Sequence, residues 1–373
     1  MTGKLIMHLR QGTILSALKH VVKKKIKRFL RDNSFGRWFL LRFNRSQGRC
    51  HISKAEVMNI DISDTCNLSC VMCVYEQTRN ENKFKKMMSL ELFKKVFDSV
   101  VKIGYKDIEL CPAKGELFLN KNIWPILEYA DSANIHSLKV VTNFIPIRQT
   151  DIIRFFNLNK LKLLEISIYG FDPDSFKLIT RKGRAQFNKL ISNLDILNQI
   201  IDSNERTFQI HFRWWIGDLQ EFNASKSKYK QYIRTLGKKI DRLDIKEYAD
   251  NRAGMISKIN VSNTGVKVRS ASSKFSKCGP CRYLFTDFII NSDLSISTCR
   301  CYDHTGKLFL GYFDEKPLSH ILSGHNQLFN RIVTEQEQGI YRDPCSTCSQ
   351  YKSIYFPGGK CLEYQQLKKN FNL

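Results

Sequence analysis

Six short apolar segments alternate with helical segments between residues 55 and 250, and this alternation constrains the fold more than any other feature of the sequence. The predicted strands are residues 57–62, 107–111, 137–142, 163–168, 208–215 and 242–248. Strands that alternate with amphipathic helices form parallel sheets. We therefore predict an α/β fold, a partial (β/α)6 barrel, whose chemistry lies where the strands end.

The alternation is lost near residue 260, where the chain becomes rich in cysteine and short strands such as residues 285–290 are predicted. The chain has 373 residues, which is long enough for one large domain and a smaller one. We predict an N-terminal extension over residues 1–50, a barrel over 51–260, and a small cysteine-rich α+β domain over 261–373.

The predicted N-terminal extension is strongly basic, with thirteen lysines and arginines against one acid, Asp32, in a chain of net charge +25. Residues 12–31 have the apolar periodicity of an amphipathic helix. This helix is predicted either to contact an anionic membrane surface or a partner, or to pack on the barrel. Basic and aromatic residues interleave only over residues 19–45, so nucleic acid is a weaker prediction for the partner.

Two further sequence features bear on location. No run of eighteen apolar residues is present, which excludes a spanning helix. The first residues lack the pattern of a secretory signal. We expect a cytoplasmic protein, with peripheral membrane contact through the basic N-terminal helix as the alternative.

Three of the twelve cysteines, Cys66, Cys70 and Cys73, lie within eight residues directly after the first predicted strand. In a reducing compartment clustered cysteines favour metal sites over disulfides. Three thiolates in one loop bind three irons of a cubane and leave the fourth open for a small molecule. Zinc is the alternative, but it needs four ligands and no local residue completes the set.

The Cys-x3-Cys-x2-Cys spacing in the loop after a first barrel strand resembles the radical S-adenosylmethionine superfamily, over about residues 55–260. The resemblance implies that Cys66, Cys70 and Cys73 hold a [4Fe-4S] cluster whose open iron chelates the amino and carboxylate groups of S-adenosylmethionine. One electron then cleaves this cofactor to methionine and a 5′-deoxyadenosyl radical, which abstracts hydrogen from a substrate C–H bond. Met72, through its backbone, would face the adenine.

Other positions match the same superfamily and carry implied roles. Gly115 and Glu116 follow the second strand, where the glutamate binds the methionyl ammonium. Thr142 and Asn143 end the third strand, with Phe144 where the superfamily has glycine. The remaining matches are Ser167, in a ribose-binding position, and Arg213, positioned to meet the methionyl carboxylate.

A second group of cysteines, Cys281, Cys299, Cys345 and Cys348, has the spacing of a four-thiolate site for iron–sulfur or zinc. The arrangement resembles the SPASM and shortened twitch domains of the superfamily, which implies one auxiliary [4Fe-4S] cluster. The other thiols of this C-terminal region are Cys278, Cys301 and Cys361. Of these, Cys301 is a candidate hydrogen donor to a substrate radical.

The predicted activity is that of a radical S-adenosylmethionine oxidoreductase or epimerase acting on a sugar or aminocyclitol-like small molecule. A peptide or protein is the alternative substrate, and RNA modification is the weaker one. The resemblance implies a flavodoxin or ferredoxin-type electron donor.

Overall fold

The computed structural model describes residues 33–52, 57–74, 86–113, 115–257, 261–272, 277–299, 306–358 and 361–373. The predicted amphipathic helix over residues 12–31 and the thiol of Cys301 lie outside the described residues.

The sequence folds into thirteen described strands. In chain order they are β1 Arg49–His51, β2 Val57–Ile60, β3 Asp107–Leu110, β4 Ser137–Thr142, β5 Leu161–Tyr169, β6 Gln209–Trp215, β7 Arg242–Lys246, β8 Tyr248–Ala249, β9 Lys267–Val268, β10 Ile289–Ile290, β11 Ser295–Ser297, β12 Phe309–Tyr312 and β13 Cys361–Glu363.

Helices connect most of these strands. The α-helices are α1 Ser34–Ser46, α2 Leu90–Lys102, α3 Ile123–Ser132, α4 Pro173–Thr180, α5 Arg184–Ser203, α6 Leu219–Ala224, α7 Lys228–Leu236, α8 Tyr283–Thr286, α9 Leu318–Ile321, α10 Gln327–Glu337 and α11 Tyr364–Phe371. Short 3-10 helices cover Leu117–Leu119, Gln149–Asn157 and Arg252–Gly254.

A nine-stranded sheet in the order β12-β11-β10-β2-β3-β4-β5-β6-β7 forms the centre of the molecule. Strands β2 to β7 are parallel neighbours in chain order, as βα units require. The predicted α/β fold with a partial barrel is confirmed. The sheet also continues into the cysteine-rich region, because β10 pairs in parallel with β2.

Helix α2 illustrates how the local sequence sets these elements. The Ser89 hydroxyl accepts a hydrogen bond from the Leu92 backbone N–H at 3.2 Å, which caps the helix. Phe93, Val96 and Phe97 recur on one face and are fully buried. The cap and the buried apolar face both come from this one segment, so the local sequence determines the helix.

The predicted strand over residues 285–290 is wrong in its first half. Helix α8 occupies Tyr283–Thr286, and only Ile289–Ile290 forms a strand. Phe285 is buried against Phe371, with ring centroids 5.1 Å apart. A continuous apolar run does not distinguish a buried helix from a buried strand, and tertiary packing decided this one.

The described part of the predicted N-terminal extension packs on the C-terminal region. Strand β1 pairs antiparallel with β13. The Asn44 side-chain amide donates to the Tyr355 carbonyl at 2.8 Å, and Arg45 forms an ion pair with Glu337 at 2.8 Å. Each helix of the described residues is too short or too polar to cross a membrane.

Candidate active site

A cavity of about 370 Å³ opens where strands β3 to β7 end. The residues predicted for the first cluster and for S-adenosylmethionine all line it: Cys66, Cys70, Met72, Cys73, Gly115, Glu116, Thr142, Asn143, Ser167 and Arg213. The structure thus brings this half of the predicted site together, and the role of each residue stays a prediction.

The loop that carries Cys66, Cys70 and Cys73 is held by backbone hydrogen bonds. The Cys73 N–H donates to the Cys70 carbonyl at 2.9 Å, which closes a tight turn between these two thiols. The Ser69 N–H donates to the Thr180 carbonyl at 3.1 Å, so the loop rests on the end of α4. The three thiols are therefore fixed on one wall of the cavity.

Burial opposes charge on these thiols. Desolvation, with a smaller contribution from Glu116, raises the pKa of Cys66 to about 12, and burial raises that of Cys70 as well. Thiolates in this environment require a bound cation, which supplies the missing positive charge. Across the described residues, no three His, Cys, Asp or Glu side chains are close enough to hold a single metal ion.

Glu116 lies at the base of the cavity and is 1% exposed. Its carboxylate accepts hydrogen bonds from the Thr142 hydroxyl at 2.6 Å and the Asn143 N–H at 2.7 Å. Burial nevertheless raises its pKa to about 7. The Phe118 N–H at 3.3 Å is a third donor, and a carboxylate has about four acceptor positions. One position therefore remains for a cation such as an ammonium.

Gly115 is required where the Glu116 loop approaches the cysteine loop. A Cβ atom at Gly115 would lie 1.9 Å from the Ser63 carbonyl oxygen and 2.9 Å from the Thr65 nitrogen. The Glu116 N–H donates to the Thr65 carbonyl at 2.8 Å across the same gap. The two loops can make this contact only without a side chain.

We expect Gly115→Ala to lower the free energy of unfolding by about 1–3 kcal/mol, because backbone must move to admit the methyl group. Gly183→Ala is the matched control, since a Cβ atom there meets nothing within 4 Å. Urea unfolding of both reconstituted proteins measures the difference. Equal midpoints for the two variants would show that the loops are not in this contact.

Arg213 lies on β6, lines the cavity and is held in place by two side chains of β5. Its guanidinium forms an ion pair with Glu165 at 3.0 Å and donates to the Ser167 hydroxyl at 2.9 Å. The pairing of Ser167 with Arg213 across β5 and β6 puts both side chains on one face. Arg213 thus presents a fixed positive charge beside the predicted ribose-binding hydroxyl.

The cavity lining contains residues that the sequence reasoning missed. Two of them are Cys111, which follows β3, and Tyr169, which hydrogen-bonds to Cys70. The others lie at the β7 end of the sheet, which we call the far wall, and are Trp215, Lys246, Tyr248, Asp250, Arg252, Arg269 and Gln350. Their place in the chain could have predicted several of them, because Cys111, Trp215 and Lys246 lie at or just after the ends of strands. Functional residues of parallel βα folds are usually found there.

The second group of cysteines also comes together. Burial, followed by the charges of Cys281, Cys345 and Cys348, raises the pKa of Cys299, so the four thiols lie within electrostatic range of one another. The Gln350 N–H donates to the Cys348 sulfur at 3.2 Å. Of the remaining thiols, Cys278 is buried and Cys361 is exposed on β13.

The segment after Cys348 joins this group to the cavity. The Asn251 backbone N–H donates to the Ser349 hydroxyl at 3.1 Å, and the Ser349 N–H donates to the Asn251 side-chain oxygen at 2.9 Å. The Thr347 hydroxyl donates to the Ala253 carbonyl at 2.8 Å. Gln350, two residues beyond Cys348, lines the cavity itself. The C-terminal region therefore forms part of the cavity wall.

Comparison with known proteins gives relatives for part of the chain. A GTP 3',8-cyclase of Desulforamulus reducens is 28% identical over 129 residues, which are 34% of this chain and 38% of that protein. A GTP 3',8-cyclase of Listeria monocytogenes is 27% identical over 141 residues, 37% of this chain and 40% of that protein. The chain thus covers well under half the length of these curated relatives. No family model matches it.

A solved structure of anSMEcpe with bound AdoMet aligns with a TM-score of 0.50 and 15% identity, over 84% of this chain and 92% of that one. Such a likeness describes the fold. Together with the cysteine motif, the cavity and the cyclase relatives, it supports the resemblance of the chain to the radical S-adenosylmethionine superfamily and to its members with a C-terminal auxiliary domain of the SPASM/twitch kind.

Proposed function

We propose that this chain is a radical enzyme that reductively cleaves S-adenosylmethionine and removes a hydrogen atom from a substrate C–H bond. The observation that carries the proposal is the juxtaposition of Cys66, Cys70 and Cys73 with the Glu116 carboxylate on one cavity. A solved structure of the same fold was determined with bound AdoMet, which supports the proposed ligand.

The donor set fits a [4Fe-4S] cluster and its cofactor. Cys66, Cys70 and Cys73 would hold three irons, and the Asn67 side-chain nitrogen beside them is buried with no hydrogen-bond partner in the described residues. Glu116 would accept the methionyl ammonium. When bound, the cluster supplies the electron that splits S-adenosylmethionine into methionine and a 5′-deoxyadenosyl radical, which abstracts the hydrogen.

The other predicted residues of the cavity would position S-adenosylmethionine. Ser167 and Arg213 form a hydrogen-bonded pair that would contact the ribose and the methionyl carboxylate, and the Met72 backbone would face the adenine. Thr142 and Asn143 orient Glu116 through its two shortest hydrogen bonds. Leu68 and Val141 also line the cavity and reduce the access of water to it.

An auxiliary [4Fe-4S] cluster held by Cys281, Cys299, Cys345 and Cys348 completes the proposal. Four thiolates leave no open iron, so such a group conducts electrons or stabilises its domain. Its position favours electron transfer, because the segment that follows Cys348 forms part of the cavity wall. We therefore propose oxidation of the substrate, with epimerisation through Cys301 as the alternative.

The proposed substrate is a sugar or aminocyclitol-like small molecule, and a peptide is the alternative. A flavodoxin or ferredoxin-type protein is the proposed electron donor in the cytoplasm. Contact of the basic N-terminal segment with an anionic membrane stays a prediction.

Anaerobic incubation with candidate substrates that carry deuterium at each C–H position tests the reaction. We expect deuterium in 5′-deoxyadenosine with one substrate and one labelled position only. A wild-type enzyme that forms 5′-deoxyadenosine with solvent hydrogen alone, across both sugar and peptide candidates, would contradict the proposed substrates while leaving cofactor cleavage intact.

A further inference from the structure

The far wall of the cavity carries more positive charge than cleavage of S-adenosylmethionine requires. Four cationic side chains line the cavity: Arg213, Lys246, Arg252 and Arg269. Among the described residues, the acidic side chains that line the cavity are Glu116 and Asp250. Glu116 is assigned to the ammonium beside Thr142 and Asn143. Among the described residues, Asp250 is therefore the acid that remains on the lining against Lys246, Arg252 and Arg269, and the far wall has a cationic excess.

These cationic side chains differ in the ion pairs that they already form. Arg213 is paired with Glu165 at 3.0 Å, and Lys246 lies 3.5 Å from Asp244. Arg269 is exposed at the end of β9, and within the described ranges no acid pairs with it. The wall therefore has donors available to an anion.

The backbone that carries Arg252 is strained and firmly held. Arg252, Ala253 and Gly254 have φ angles of 45°, 54° and 92°, and two of these three residues carry side chains that disfavour the left-handed region. The turn persists because Asn251 and Ala253 are fixed by Ser349 and Thr347 of the auxiliary domain. Strain of this kind is retained where a side chain must be presented in one direction.

Two aromatic rings, Trp215 and Tyr248, accompany the cations on this wall. The ring of Tyr248 is 47% exposed, although an aromatic ring gains free energy by burial. Such rings stack on the flat or apolar face of a sugar or a base. The wall thus combines surfaces for a ring and for an anion.

We propose that this wall, which we call the basic wall (Lys246, Arg252 and Arg269, with Trp215 and Tyr248), binds a phosphate-bearing small-molecule substrate. The planar guanidinium groups match phosphate oxygens in paired hydrogen bonds, and several cations suit a group of about two negative charges better than a single carboxylate does. This inference rests on the proposed function and gives its substrate class as a phosphorylated ring compound.

Calorimetric titration of inorganic pyrophosphate into the reconstituted holoenzyme, saturated with S-adenosylmethionine, tests the inference. We expect one binding site and an affinity at least about tenfold lower in Arg252→Gln/Arg269→Gln. The charge-preserving variant Arg252→Lys/Arg269→Lys should recover part of the lost affinity for pyrophosphate. The matched control is Arg184→Gln/Lys189→Gln, which removes two charges from exposed positions on α5 and should bind like wild type.

Equal pyrophosphate affinity in wild type and the glutamine variant would overturn the inference. An equal loss of affinity in the glutamine variant and the control would also overturn it, since net charge alone would then explain the binding. Citrate bound as tightly as pyrophosphate would overturn the choice of phosphate over carboxylate. Formation of 5′-deoxyadenosine is measured in the same preparations. If that reaction occurs but pyrophosphate does not bind, the inference fails alone; if pyrophosphate binds through the arginines and no cleavage occurs, the proposed function fails alone.

Discussion

Replacing Cys66, Cys70 and Cys73 together by alanine is expected to abolish the formation of 5′-deoxyadenosine from S-adenosylmethionine and dithionite. The physical reason is that three thiolates are needed to hold the cluster whose fourth iron stays open for the cofactor. Cys111 also lines the cavity, but one thiol at the end of β3 cannot replace a loop of three. Quantifying 5′-deoxyadenosine after anaerobic incubation gives the result, and continued production by the triple variant would refute the assignment.

The iron content of the same triple variant separates the two proposed clusters. It should retain about four irons per chain, the inventory of one remaining cubane, and the further change of Cys345 and Cys348 should remove them. Zinc in place of iron in the triple variant would contradict the auxiliary cluster. About eight retained irons would mean that leftover thiols such as Cys278 build a second auxiliary cluster.

The Glu116→Ala variant should bind S-adenosylmethionine about 10- to 150-fold more weakly and still form the first cluster. The lost contact is a charge-assisted hydrogen bond to the methionyl ammonium, which contributes about 1.5–3 kcal/mol. Equilibrium binding to the reconstituted protein measures the loss. Glu205→Ala, which removes an exposed acid outside the cavity, should leave the affinity unchanged.

The pH dependence of binding gives a second readout for the same residue. Burial raises the pKa of Glu116 to about 7, so its neutral form predominates below that pH. A neutral carboxyl attracts an ammonium poorly, and wild-type affinity should therefore fall as the pH drops through about 7. The Glu116→Gln variant should lack this dependence. Unchanged affinity in Glu116→Ala, or an identical pH profile in Glu116→Gln, would show that the ammonium binds elsewhere.

The helices and strands of the barrel could be predicted because the residues that determine them are close together in the sequence. Ser89 caps α2, and the Asp172 carboxylate accepts from the Ser175 N–H at 2.8 Å at the start of α4. The strand pattern also predicted which loops follow strands, and these loops carry Cys66, Glu116 and Asn143. The helix at Tyr283–Thr286 could not be predicted in this way, because contacts with residues far along the chain determine it.

The basic wall was missed for a related reason. Asn251 and Ser349 are 98 residues apart, yet their hydrogen bonds fix the turn that presents Arg252. No periodicity or spacing encodes this contact. Phe144 stands where glycine was expected, and the structure explains how it is accommodated. Its φ of 64° is a conformation for which glycine is usual. The Asn193 side-chain amide donates to its carbonyl at 2.7 Å. The ring is fully buried, and that burial offsets the backbone strain.

The most direct measurement is electron–nuclear double resonance on the reduced protein with S-adenosylmethionine labelled at the methionyl nitrogen and carboxylate. If Cys66, Cys70 and Cys73 leave one iron open, both labelled groups should couple to the cluster, and the coupling should be absent from the triple alanine variant. A protein that binds the labelled cofactor and contains a reduced cluster, yet shows no coupling from either group, would contradict the proposed active site.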